Sequence, residues 1–130
     1  NPLQLLPAIL RLLMPVANAG SARAQVRLGD MYAEGRGVAR DFAAAETWYE
    51  KAATRGDTAA QMKLGAIYAG ASGTTRNNNI AYIWYGIAAR LGATAAQSER
   101  DRIGALLQPA ERTQADKAIE DRVARIRPKT

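Results

Sequence analysis

The 130-residue chain contains no cysteine and no histidine. Without cysteine no disulfide framework forms, and without either residue the usual zinc ligand sets are missing. Cys–His and Ser–His catalysis are excluded for the same reason, because the general base is absent. A cysteine-free chain suits cytoplasm, periplasm and exterior alike, so it selects no compartment. Aromatic residues are only 6% of a chain that is 48% hydrophobic. Alanine must therefore supply much of the packing, which suits helices that approach closely. No run reaches the roughly 18 apolar residues of a membrane span. Acidic residues are missing altogether from Thr58 to Ser98, where only Lys63, Arg76 and Arg90 carry charge. The net charge is +6 and is mostly arginine, a balance that favours anionic partners. The excess is spread out, however, and no basic stripe alternates with stacking aromatics, which argues against nucleic acid.

What the chain does have is an internal echo. "AQVRLGDMY" (Ala24–Tyr32) returns as "AQMKLGAIY" (Ala60–Tyr68), and "WYEKAATRG" (Trp48–Gly56) returns as "WYGIAARLG" (Trp84–Gly92). Every match is displaced by 36 positions, and Ser21–Gly56 shares 14 identities in 36 with Asp57–Gly92. A fixed period in the range of roughly 20–50 residues marks a repeat array. The opening "LLPAILRLLMPVANAGSARAQ" imitates a signal peptide. Arg11 interrupts its apolar run, though, and Gly20 and Ala24-Gln25 keep step with Gly56, Gly92, Ala60-Gln61 and Ala96-Gln97. Residues 1–20 are therefore expected to be the second helix of an incomplete leading repeat. Two full repeats, 21–56 and 57–92, follow, and 93–130 is expected to be a degenerate closing repeat with a C-terminal capping helix. No initiator Met is present, so a processed or truncated chain is expected.

Within each unit the spacing is helical. Ala24, Leu28 and Tyr32 fall at i, i+4, i+8, as do Ala60, Leu64 and Tyr68. Gly29 and Gly65 lie inside these helices at a cost of about 1 kcal/mol each relative to alanine. A cost repeated at one position predicts that a neighbouring helix packs on the bare backbone. Asp41 and Asn77 are strong N-cap residues, Ser21 and Asp57 can cap the helices they precede, and Gly20, Gly56 and Gly92 suit positions just past a helix end. Helices are predicted over 3–18, 21–33, 42–55, 58–69, 78–90, 94–107 and 109–126. Pro15 is expected to bend the first or end it early, and Pro109 suits a first turn. One helix pair cannot bury its apolar side alone, so the expected fold is an all-α solenoid of stacked antiparallel helix pairs.

The pattern Ala24, Leu28-Gly29, Tyr32, Gly35–Val38, Asp41, Ala45, Trp48-Tyr49, Ala52-Ala53 and Gly56 resembles the Sel1-like repeat family, a relative of the tetratricopeptide repeats. The second copy keeps most of it but has Ala71 for Gly35 and Asn77 for Asp41. The resemblance covers about Gly20–Gln97. It implies a right-handed superhelix and a non-enzymatic adaptor or regulator that binds another protein on a concave helical surface. It also implies an exported or periplasmic bacterial setting ahead of a cytoplasmic one, with no cofactor or metal. Two alternatives stay open: an immunity or inhibitor protein that neutralises a secreted toxin, and a structural fragment of a larger cell-envelope protein.

The candidate residues sort accordingly. Ala24, Leu28, Gly29, Tyr32, Trp48, Tyr49, Gly56, Ala60, Leu64, Gly65, Tyr68, Trp84, Tyr85 and Gly92 form the repeat motif and are read as packing. The "GRG" turn at Gly35–Gly37 lacks the pattern and the preceding strand of a phosphate loop. Asp30 with Glu34, and Glu46 with Glu50, stand at i, i+4, but the second copy replaces them with Ala66, Gly70, Tyr82 and Gly86. Surface ion pairing explains them without catalysis. First-helix positions that the motif leaves unused, Arg23, Val26, Arg27, Asp30, Met62 and Lys63, are the expected partner-binding set, suited to an acidic or amphipathic segment. In the tail, Ala115, Ile119, Val123 and Ile126 form an apolar stripe among Lys117, Arg122, Arg125, Arg127 and Lys129. Such a basic amphipathic helix can bind membranes, but covering the last repeat is its expected role.

Overall fold

Helix ends fall where local chemistry satisfies the first backbone N–H groups. Ser21 accepts a hydrogen bond from the Ala24 N–H at 3.2 Å, Asp41 from Ala44 at 3.1 Å and Asn77 from Ile80 at 3.1 Å. The structure, a computed structural model, describes residues 2–126, and its regular elements there are helices. They are α1 (Pro2–Asn18), α2 (Ala22–Glu34), α3 (Phe42–Ala53), α4 (Thr58–Tyr68), α5 (Asn78–Arg90), α6 (Thr94–Gly104) and α7 (Pro109–Ile126), with a 3₁₀ turn at Ala71–Gly73. Arg127 and Lys129 of the basic tail lie outside the described residues.

Gly20, Gly56 and Gly92 have φ of 107°, 99° and 107°. That left-handed backbone is open to glycine at no steric cost, and it turns the chain out of each second helix. α3 and α6 stop short of the expected Arg55 and Leu107. Arg55 donates to Ala52 and Leu106 to Ile103, so each last turn tightens into i→i−3 bonding. Pro15 does not end α1, which runs on to Asn18. The proline is exposed, so the carbonyl it leaves without a donor can turn to water. α7 opens with Pro109 in its first turn and Glu111 accepting the Gln108 N–H at 3.0 Å. Bonds from Asn79 and from that backbone N–H hold the Glu111 carboxyl below its usual range.

The chain divides into two compact units at Asp57/Thr58. In the first, α2 packs against both α1 and α3. Ala17, Ala24, Leu28 and Met31 form the core, with Leu6, Leu10, Leu13, Met14 and Trp48 packed around it. Gln25 ties α2 to the end of α1 by donating to the Ala17 carbonyl at 3.0 Å. The Tyr49 ring lies on the backbone of Gly29, in the space a Cβ would need.

In the second unit α5 is central, and α4, α6 and α7 all pack on it. The Tyr85 ring covers Gly65, where a Cβ would stand 2.8 Å from the ring. Each repeat thus places a second-helix tyrosine on a first-helix glycine; the repeated glycine predicts the neighbouring helix, and the structure identifies the ring. A backbone bond repeats too: Asp41 N–H donates to Tyr32 at 2.9 Å, and Asn77 N–H to Tyr68 at 2.7 Å. Ala115, Ile119 and Val123 of α7 are buried, and Ile119 occupies the space above Gly86 of α5. α7 is therefore a cover for α5.

Candidate functional site

α2 has two faces because its sequence has two chemistries. Ala24, Gln25, Leu28 and Gly29 turn inward and are buried. Arg23, Val26, Arg27 and Asp30 recur at i, i+3, i+4, i+7 and so share the opposite face. Arg23 and Arg27 are exposed there, whereas Val26 and Asp30 are half-buried. Asp30 accepts the Tyr49 hydroxyl at 2.5 Å. Burial first, and this bond second, push the Tyr49 hydroxyl well above its ordinary pKa. Part of the Asp30 carboxylate is thereby committed to holding α3 on α2. Glu34 pairs with Arg36 at 3.5 Å in the open, as expected of an ordinary surface pair.

Between α1 and α2 runs a groove of about 220 Å³. Leu6, Ile9, Leu13 and Met31 give it an apolar lining, and Arg27 and Glu34 stand among its charged residues. In the second unit, Met62 and Lys63 of α4 are half-buried at the positions matching Val26 and Arg27. Trp48 and Trp84 are packing residues. Trp48 flanks the first core with the Lys51 ammonium 5.4 Å from its ring centroid. Trp84 is 4% exposed, with the Arg122 guanidinium 5.1 Å away. Among the described residues no helix is long and apolar enough to cross a membrane.

Sequence reasoning missed a polar cluster in the second unit. The Tyr82 hydroxyl donates to Asp116, Arg90 pairs with Glu120, and Arg100 pairs with Asp101 at 3.0 Å. The Arg112 guanidinium lies 5.8 Å from the Tyr82 ring centroid. These residues line a cleft of about 200 Å³ in which each of these acids already has a partner. Burial, then the bond to Asp116, raises the Tyr82 pKa. Such a cleft joins α5, α6 and α7. The missed signal was the pair of mismatches between copies: Glu46 and Glu50 on α3 become Tyr82 and Gly86 on α5. These two positions receive Asp116 and Ile119 of α7.

The sequence pattern of the Sel1 repeat matches residues 22–57 and 58–92. Among solved structures, the chain is similar to c5321, a protective antigen present in uropathogenic Escherichia coli strains and displaying an SLR fold. That likeness has a TM-score of 0.83 at 28% identity over 92% of this chain. The chain spans about a quarter of that protein, since 26% of it is covered. A Sel1 repeat protein from Oxalobacter formigenes is similar at 39% identity with a TM-score of 0.64, covering 71% of this chain and 69% of that one. No curated protein matches the sequence. Repeats of this kind are generally non-catalytic and typically mediate protein–protein interaction. Two matched repeats, each a helix pair with a tyrosine on a glycine, show that this chain belongs to the Sel1 repeat family.

Proposed function

We propose that the protein is a non-enzymatic adaptor or regulator that binds an acidic or amphipathic segment of a partner protein through the outward faces of its first helices. One observation supports this most. On α2 the inner face is buried, while Arg23 and Arg27 stand exposed on either side of half-buried Val26. Among the described residues neither guanidinium is held in an ion pair. Apolar contact at Val26 supplies affinity, and the guanidinium forks offer bidentate pairing to carboxylates. Met62 and Lys63 present the same pair of chemistries on α4. The proposed contact set is Arg23, Val26, Arg27, Asp30, Met62 and Lys63, with Asp30 also holding Tyr49.

The test is charge reversal at Arg23→Glu and Lys63→Glu, followed by crosslinking capture of the native partner. Loss of the captured protein from the double variant is expected. Undiminished recovery would overturn the reading.

A further inference from the structure

α1 is apolar over more of its circumference than one packing face requires. Leu6, Leu10, Leu13 and Ala17 pack toward the first-unit core. Leu5, Ile9, Leu12 and Val16 form a second stripe at i, i+4, i+7, i+11, and are 60%, 42%, 73% and 50% exposed. A contiguous apolar face of this kind marks an interaction surface.

Charge does not single out a foreign partner for it. The groove beside the stripe carries Arg27 and Arg36 together with Asp30 and Glu34, so the two signs balance there. Arg11 is the sole charged residue of α1 and falls on neither apolar stripe.

The repeat period singles out a helix of the same polypeptide instead. Shifted by 36 positions, Ile9, Leu12 and Val16 fall on Ala45, Trp48 and Ala52 of α3. Shifted by 72, they fall on Ala81, Trp84 and Ala88 of α5. The four alanines and Trp84 are buried, and Trp48 packs on the first-unit core. In both repeats this side of the second helix meets the helix immediately before it in the chain. α3 packs on α2 and α5 on α4, with Tyr49 and Tyr85 resting on Gly29 and Gly65. Leu13 of α1 stands at that tyrosine position. By register, the open stripe is the side on which a second helix receives the first helix of its own pair.

We propose that in the natural polypeptide a first helix preceding Asn1 lies on the Leu5–Val16 stripe and completes a leading helix pair. Helices joined by a short turn pack on each other, as α2 and α3 do across residues 35–41. The seat sets what that helix carries. Leucine at position 13 is shorter than tyrosine, so the covering helix has room for a Cβ where Gly29 and Gly65 have none. Ile9 and Val16 are larger than the alanines they match, so the residues facing them are small. This inference does not depend on the protein-binding reading. It removes α1 from the surface open to a partner and leaves the proposed faces of α2 and α4 as they are.

The chain has no cysteine, so Leu12→Cys places a single thiol on the stripe. Val16→Cys repeats the measurement at a second stripe position, and Lys117→Cys is a control at an exposed position of α7. Alkylation rates are compared between the 130-residue chain and the natural polypeptide that includes the preceding residues, any cysteine there being replaced by serine. The longer polypeptide is expected to label roughly tenfold or more slowly at Leu12→Cys and Val16→Cys, and at an unchanged rate at Lys117→Cys. Equal rates at the stripe in the two chains, or equal slowing at all three positions, would overturn the proposal. So would a natural polypeptide with no helix-length segment before Asn1. Protection of the 130-residue chain that grows with its concentration would assign the stripe to a second copy. Protection of the longer chain that needs another protein would assign it to that protein, and either result would overturn the proposal. Partner capture that depends on Arg23 and Lys63 is expected whatever these rates show, so the two readings fail separately.

Discussion

The second helices of the two repeats share a motif and differ in what covers their outer faces. α3 carries Glu46 and Glu50 where α5 carries Tyr82 and Gly86. Glu50 of α3 is exposed, whereas Tyr82 and Gly86 of α5 are buried. The reason is α7, which sets Ile119 over Gly86 and Asp116 against the Tyr82 hydroxyl. Removing the side chain at one position and adding an aromatic donor at the other turns a polar face into a docking face. A repeat sequence thus carries two messages. Its matched positions build the helix pair, and its mismatched positions state what each pair meets outside itself.

The largest test of this contrast is at the cover. Ile119→Ala removes the side chain that fills the space over Gly86 and should cost about 3 kcal/mol in urea unfolding. Leu12→Ala, on the uncovered stripe of α1, should stay within about 0.5 kcal/mol. Similar costs at the two sites would mean that the open and covered helix faces are not distinct.

Next are the glycines beneath the tyrosines. Gly29→Ala and Gly65→Ala each gain about 1 kcal/mol of helix propensity. Each also forces a Cβ into the ring above it, against an overpacking cost of up to about 3 kcal/mol. Both variants should be destabilised by about 1–2 kcal/mol, with lowered thermal midpoints. A gain in stability at either would show that the ring does not need the bare backbone.

The smallest contrast separates the two tyrosines. Tyr49 donates to Asp30, but the second repeat has Ala66 at the position of Asp30. Tyr49→Phe should cost about 1 kcal/mol, and Tyr85→Phe less than about 0.5 kcal/mol. Tyr49 also gives a pH signature. Its folded hydroxyl keeps its proton above the ordinary value of 10.0, chiefly through burial, whereas the unfolded chain releases it there. The contribution is therefore complete below pH 10 and declines as pH rises further. Thermal midpoints followed from about pH 8 to 11 should fall less steeply for Tyr49→Phe than for the parent.

Much of this architecture could be read in advance, and particular residues show why. Ser21, Asp41 and Asn77 cap the helices that follow them because a cap needs only three neighbouring residues. Gly29 and Gly65 signalled a close contact because a destabilising residue recurred in register. The Tyr49–Asp30 bond was hidden because it joins residues 19 apart, and the spacing of acids along α2 suggested only surface pairing. The Tyr82–Asp116 bond spans 34 residues and falls where the period degenerates, so no second copy pointed to it.

By itself the sequence determined the helices to within about a turn at their ends, the 36-residue unit, and the close approach of a neighbouring helix to Gly29 and Gly65. These rest on interactions within a turn, or on a pattern stated twice. Only the tertiary structure decided which apolar faces are closed. α7 lies on α5, and the Leu5–Val16 stripe of α1 stays open to solvent. Leucine spacing looks the same on a covered helix and an uncovered one. The difference lies in whether a distant segment supplies the matching surface, as Ile119 does for Gly86.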